Sequence, residues 1–98
     1  MRLKETEKNA IKDSFSTTFG FGKIYLFGSR ADDSQKGGDI DLYLVTDSKE
    51  DLAQKRINFL VKLKKAIGEQ KIDVVINRDN SRAIEQEALK NGILIDEI

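Results

Sequence analysis

The sequence predicts a small α/β (α+β) domain. It has a mixed sheet of three to four strands covered on one face by helices, in the order α-β-(short α)-β-α-β-α. Three observations carry this. Short β-favouring runs alternate with stretches of helical periodicity. Ninety-eight residues with 39% apolar content suffice for one modest core. A helical stretch of some 19 residues between the second and third strands marks a parallel, right-handed crossover. The whole chain, 1–98, is expected to form a single domain, with no internal repeat, low-complexity run or linker.

Residues 2 to about 18 read as a helix, with Leu3, Ala10, Ile11 and Phe15 at helical spacing and Lys4, Glu5, Lys8 and Lys12 opposite. Gly20 and Gly22 break it, and Phe15, Phe19 and Phe21 are expected in the core. Lys23 to Phe27 is a short strand closed by Gly28. Ser29 can cap one helical turn through Asp32, and the stretch from Ser34 to Gly38 is rich in turn formers. Asp39 to Val45 is the second strand. Thr46-Asp47-Ser48 offers caps for a helix over Lys49 to Ile67, whose stripe of Leu52, Phe59, Leu60, Leu63 and Ile67, widened by Ile57 and Val61, should lie on a sheet. Gly68 stops it. Lys71 to Ile76 is the third strand. Ser81 to Lys90 is a helix capped by Ser81 and stopped by Asn91-Gly92, and the tail around Ile93-Leu94-Ile95 is an edge strand or a segment packed on the body.

Charge and composition exclude several functions. Charged residues make up 35% and cancel to a net charge of zero, so no bulk attraction to nucleic acid or anionic membrane is expected. The chain has neither cysteine nor histidine, which removes thiolate and Ser-His chemistry and leaves carboxylates as metal ligands. The N-terminus shows no secretory signal and no segment is apolar enough to span a bilayer, so a cytoplasmic location is expected. The lysines at 62, 64, 65 and 71 read as a solvated face, and Tyr25 and Tyr43 as packing residues.

Within that frame one stretch stands out, Gly28-Ser29-Arg30 followed by Asp39-Ile40-Asp41-Leu42. Asp39 and Asp41, at i and i+2 of a strand, leave from one face with Cα atoms about 7 Å apart. Carboxylates so placed can converge on a pair of divalent ions about 3.5–4 Å apart. The short connection makes strands one and two antiparallel neighbours and sets Gly28-Ser29 beside Asp39, where backbone N–H groups can face a phosphate. The parallel crossover brings Asp73 to the same end of the sheet. Burying Ile40, Leu42 and Leu44 with Ile72, Val74 and Ile76 puts all three aspartates on the opposite face.

These residues, with Ile72-Asp73-Val74-Val75, resemble the signature of the polymerase-β-type nucleotidyltransferase superfamily, and the length and element order resemble its minimal nucleotidyltransferases. The resemblance implies the palm-like nucleotidyltransferase fold and Mg2+-dependent transfer of a nucleoside monophosphate, AMP from ATP, to an acceptor hydroxyl. Asp39, Asp41 and Asp73 would bind two Mg2+ ions, with Asp73 helping to activate the acceptor. Gly28 and Ser29 would cradle the nucleoside triphosphate, and Arg30 would neutralise it. Minimal members often pair with a HEPN-type toxin and modify a tyrosine on it as antitoxins, which implies protein AMPylation and a homo- or hetero-oligomer. Two positions depart from the pattern: Gly38 stands where many members carry serine or threonine, and Asp32-Asp33 where many carry a basic residue, with Lys36 near enough to compensate. The competing readings are a binding module that masks a partner by contact, and a small-molecule nucleotidyltransferase.

Overall fold

The computed structural model describes residues 3–32, 34, 38–78 and 81–98. Helix α1 (Glu5–Phe19) leads into β1 (Lys23–Phe27) and a 3-10 turn (Gly28–Ala31), then β2 (Ile40–Val45), α2 (Leu52–Ile67), β3 (Ile72–Ile76), α3 (Ala83–Asn91) and β4 (Ile93–Glu97). The strands form one sheet in the order β3-β2-β1-β4. β1 pairs antiparallel with both β2 and β4, while β2 and β3 run parallel across the α2 crossover. The tail is therefore an edge strand, irregular in register between Ile24 and Tyr25.

Alternation along the strands divides the sheet into two faces. Ile24, Leu26, Ile40, Leu42, Leu44, Ile72 and Val74 point to one face, where Ile11, Phe15 and Phe19 of α1 and Phe59 and Leu63 of α2 close the core. Phe15 stacks on Phe19 with centroids 5.3 Å apart. The fold class and the parity of the strands are as expected, but α3 is not on that face. It lies across the other, where Ala88 packs with Phe27 and Tyr43. Short connections explain the placement: β3 hands directly to α3, and α3 turns at Gly92 into β4. The side chains Phe27 and Tyr43, on the acidic face, are large and apolar enough to need a cover of their own.

Other details differ. Phe21 is 82% exposed and outside the core, because the Gly20–Gly22 turn swings it to solvent. Ile57 and Val61 are also exposed, since the buried arc of α2 is centred on Phe59 and Leu63 and is narrower than the full apolar stripe. Leu52, not Lys49, opens α2, after Asp51 in a left-handed conformation. Thr46 and Ser48 do not cap it. The Asn77 side chain accepts from the Thr46 amide at 2.8 Å and the Thr46 hydroxyl accepts from the Ser48 amide at 3.1 Å, tying the exit of β2 to that of β3. Phe27, not Ser29, precedes the 3-10 turn, and Arg82, not Ser81, precedes α3.

A buried carboxylate holds α3 to the sheet. Glu85 is fully buried and accepts from the Tyr43 hydroxyl at 2.8 Å, the Arg78 amide at 2.8 Å and Arg82 Nε at 2.7 Å. Burial alone would raise its pKa, but these three donors outweigh it and hold Glu85 down at about 2. Tyr43 is pushed upward by burial and by Glu85 beside it. Both tyrosines are packing residues, their rings 6.0 Å apart. Among the described residues, no helix is long and apolar enough to cross a membrane.

Candidate active site

The site forms where the first residues of β2 and β3 emerge from the sheet. The parallel ladder pairs Ile40 with Ile72 and sets Asp41 directly opposite Asp73. Strand parity sends both carboxyl groups to the face away from α1 and α2, and they share a hydrogen bond. Asp41 is partly buried and its pKa is raised: burial contributes most, followed by the negative charges of Asp73 and Asp39 and the bond to Asp73, with Lys71 opposing.

Gly28 follows directly from the β1–β2 pairing, which sets Phe27 opposite Asp41. With φ of 73°, Gly28 brings its backbone so close to Asp41 that a Cβ would overlap the carboxylate. Ser29 packs its hydroxyl against Gly38, where φ is 92° and a Cβ would overlap Ser29 Oγ. The departure at Gly38 thus has a local cause: a larger residue would collide with the serine of the Gly-Ser turn. Arg30 donates through Nε to the Gly38 carbonyl at 3.3 Å and through Nη2 to Gln70 Oε1 at 3.4 Å. Gln70 in turn donates to Glu7 Oε2 at 2.9 Å, so Arg30 joins the turn to β3 and to α1. Asp32 accepts from the amide and hydroxyl of Ser34 at 2.9 and 2.7 Å, a local turn that occupies one carboxylate oxygen. Asp33 and Lys36 lie outside the described residues.

Asp39 precedes β2, half exposed, and pairs with Lys71 Nζ at 3.4 Å. The sequence reading left Lys71 among solvated lysines. It is exposed, yet it stands beside the acids, and the signal was its parity with Asp73 two residues on. Asp41 and Asp73 are therefore in direct contact at one end of one face, whereas Asp39, one residue before β2, is near them but held on Lys71 and does not converge with them.

Among the described residues, no three His, Cys, Asp or Glu side chains are gathered closely enough to hold a metal ion. The donor chemistry itself suits a hard divalent cation, being carboxylate oxygen alone. The Asp41–Asp73 pair fits as well: a cation between the two carboxyl groups would relieve the repulsion that helps raise the pKa of Asp41.

Comparison with known proteins bears on this geometry. No curated protein matches the sequence. Solved structures share the fold. A chain of the complex between tri-AMPylated Shewanella oneidensis HEPN toxin and MNT antitoxin is 23% identical, with a TM-score of 0.73 over 98% of this chain and 74% of that one. A chain of a toxin–antitoxin complex with AMP-PNP is 25% identical, with a TM-score of 0.75 over 93% of this chain and 73% of that one. A candidate nucleotidyltransferase from Sulfolobus solfataricus is 18% identical, with a TM-score of 0.59 over 99% of this chain and 92% of that one. The family model for the polymerase beta nucleotidyltransferase domain matches residues 9–97, a span that takes in the Gly-Ser turn and all three aspartates, and the chain belongs to that family.

Proposed function

We propose that this protein is a Mg2+-dependent protein adenylyltransferase that moves AMP from ATP to a tyrosine hydroxyl of a HEPN-type partner, acting as its antitoxin. The observation that carries the reading is the Asp41–Asp73 pair beneath the Gly28 backbone, in a chain of this family. The reading is supported by the two toxin–antitoxin neighbours, one a complex whose HEPN toxin is tri-AMPylated and one a complex with AMP-PNP.

In this reading Asp39, Asp41 and Asp73 would hold two Mg2+ ions, with Asp39 released from Lys71. When bound, the ions supply charge neutralisation at the triphosphate and acidify the acceptor hydroxyl. Gly28 and Ser29 orient the β- and γ-phosphates, while Lys71 and Arg30 offset their charge. The tyrosine oxygen attacks the α-phosphorus in line. Its bond to phosphorus forms as the bond to the pyrophosphate oxygen breaks, the phenolic proton passes to Asp73, and pyrophosphate leaves with the electron pair.

The test is to incubate the protein with a co-expressed HEPN-type partner, ATP and Mg2+, and to record intact mass. An AMP-sized gain on the partner that vanishes with Asp41→Asn or Asp73→Asn is expected. Neutralisation of the partner by those variants without any gain in mass would identify a contact inhibitor instead.

A further inference from the structure

β3 ends the sheet, and its outer edge has no partner strand among the described residues. Lys71 and Asn77 bond to β2 through the Lys71 carbonyl and the Asn77 amide, so parallel pairing turns the intervening Ile72, Val74 and Ile76 outward. Among the described residues, only the last outward carbonyl, that of Ile76, is taken, by Arg82 Nη2 at 2.7 Å. Beside this edge lies a cavity of about 370 Å3 between β3 and the first turns of α2 and α3. Val74, Ile76 and Ile84 give it an apolar floor, and Arg56, Arg78 and Arg82 line it. Arg82 is engaged with Glu85, whereas the Arg56 and Arg78 side chains make no ion pair or hydrogen bond among the described residues.

The charge around the cavity is one-sided. The chain is neutral overall, yet the charged side chains that line the cavity, Arg56, Arg78 and Arg82, are all basic. The fitting occupant is therefore extended, apolar in part, and acidic.

We propose that the open edge of β3 and the arginine-lined cavity beside it dock an extended acidic segment of the protein acceptor. This rests on the reading that the acceptor is a protein. The register gives the segment a layout. Asp73 and Ile76 are three residues apart on β3, about 10 Å along the strand. A strand added to that edge carries its acceptor side chain over Asp73 when its acidic side chains, about three residues away, sit over the arginines. The same edge then binds the segment and aims it.

The test uses the intact protein and a fluorescein-labelled peptide of alternating valine and threonine around one tyrosine, with a glutamate pair three residues from the tyrosine. A counterpart carries lysines in place of the glutamates. Fluorescence anisotropy should show binding of the glutamate peptide alone, weakened about tenfold or more by Arg56→Glu with Arg78→Glu. Ile84→Glu, an exposed change in the floor, should weaken it independently. A peptide with phenylalanine for tyrosine should bind equally well, since docking needs no acceptor hydroxyl. Equal binding of the two charge versions, no binding of the glutamate peptide, or insensitivity to the arginine reversals overturns the proposal. So does displacement of the peptide by AMP or by a short oligoadenylate RNA, which would assign the arginines to phosphate. A glutamate peptide that binds without receiving AMP supports docking and counts only against the transfer reading.

Discussion

Asp41 and Asp73 face each other across the parallel β2–β3 ladder close enough to share a hydrogen bond, and burial together with the charges of Asp73 and Asp39 raises the pKa of Asp41. Like charges directly opposite each other on a sheet oppose folding, so this pair is a cost carried by the fold. Asp41→Asn should raise stability at pH 8 by about 0.5 kcal/mol, on the scale of cross-strand pairs. The same change should lower the proposed AMP transfer on the order of 10²–10³-fold, the loss expected when charge stabilisation is removed from a transition state. Urea unfolding and intact-mass kinetics on one preparation check both signs. A variant both less stable and less active would mark Asp41 as structural.

Mg2+ should act in the opposite direction to the repulsion. A cation that binds only the folded protein stabilises it by about 2.7 kcal/mol at a hundred times its Kd. Thermal melts in rising Mg2+ should therefore climb for the wild type, return to baseline with EDTA, and stay flat for Asp41→Asn and Asp73→Asn. Lys71→Ala should steepen the wild-type response, because Asp39 no longer has to leave a cationic partner at 3.4 Å.

Much of the placement of these acids is legible in the sequence, because it depends on parity and topology. The alternation of Asp39-Ile40-Asp41-Leu42, a short turn and a long crossover suffice to bring the acids to one end of one face. What escaped depends on packing. The stripe of α2 gave no means of telling that Ile57 and Val61 lie outside the buried arc, nor did Phe21 reveal that two glycines would turn it outward. The place of α3 turned on which face still had large side chains to cover. Lys71 was missed as a site residue because a lysine on a strand reads as solvated unless its neighbour across the ladder is known.

Gly38 should resist replacement by serine. Its φ of 92° is a conformation that costs a residue with a Cβ about 1–2 kcal/mol, and the new atom would overlap Ser29 Oγ. Gly38→Ser should destabilise by at least that amount and displace the Ser29 hydroxyl. Adding Ser29→Gly should recover the steric part and leave the backbone part, so the two changes should be non-additive in a double-mutant cycle followed by urea unfolding.

Glu85 should set part of the acid response of the whole protein. Its pKa is near 4.5 when exposed and about 2 in the fold, so the folded state favours the ionised form. That stabilisation is complete above the exposed value and is lost as pH falls from about 4.5 toward 2. Glu85→Gln keeps the shape but removes the charge that Arg82 and the Arg78 amide bind; with Arg82 a third exposed and able to turn to water, the cost should be about 1.5–3 kcal/mol, the range for a hydrogen bond to a charged group. Tyr43→Phe removes a single donor at 2.8 Å and should cost about 1.5–3 kcal/mol, the range for a hydrogen bond to a charged group. Urea midpoints measured from pH 7 to pH 2 separate these effects. The wild type should lose its advantage over Glu85→Gln within the window from about 4.5 to 2, whereas a constant difference across it would mean that Glu85 is held by packing and not by its charge.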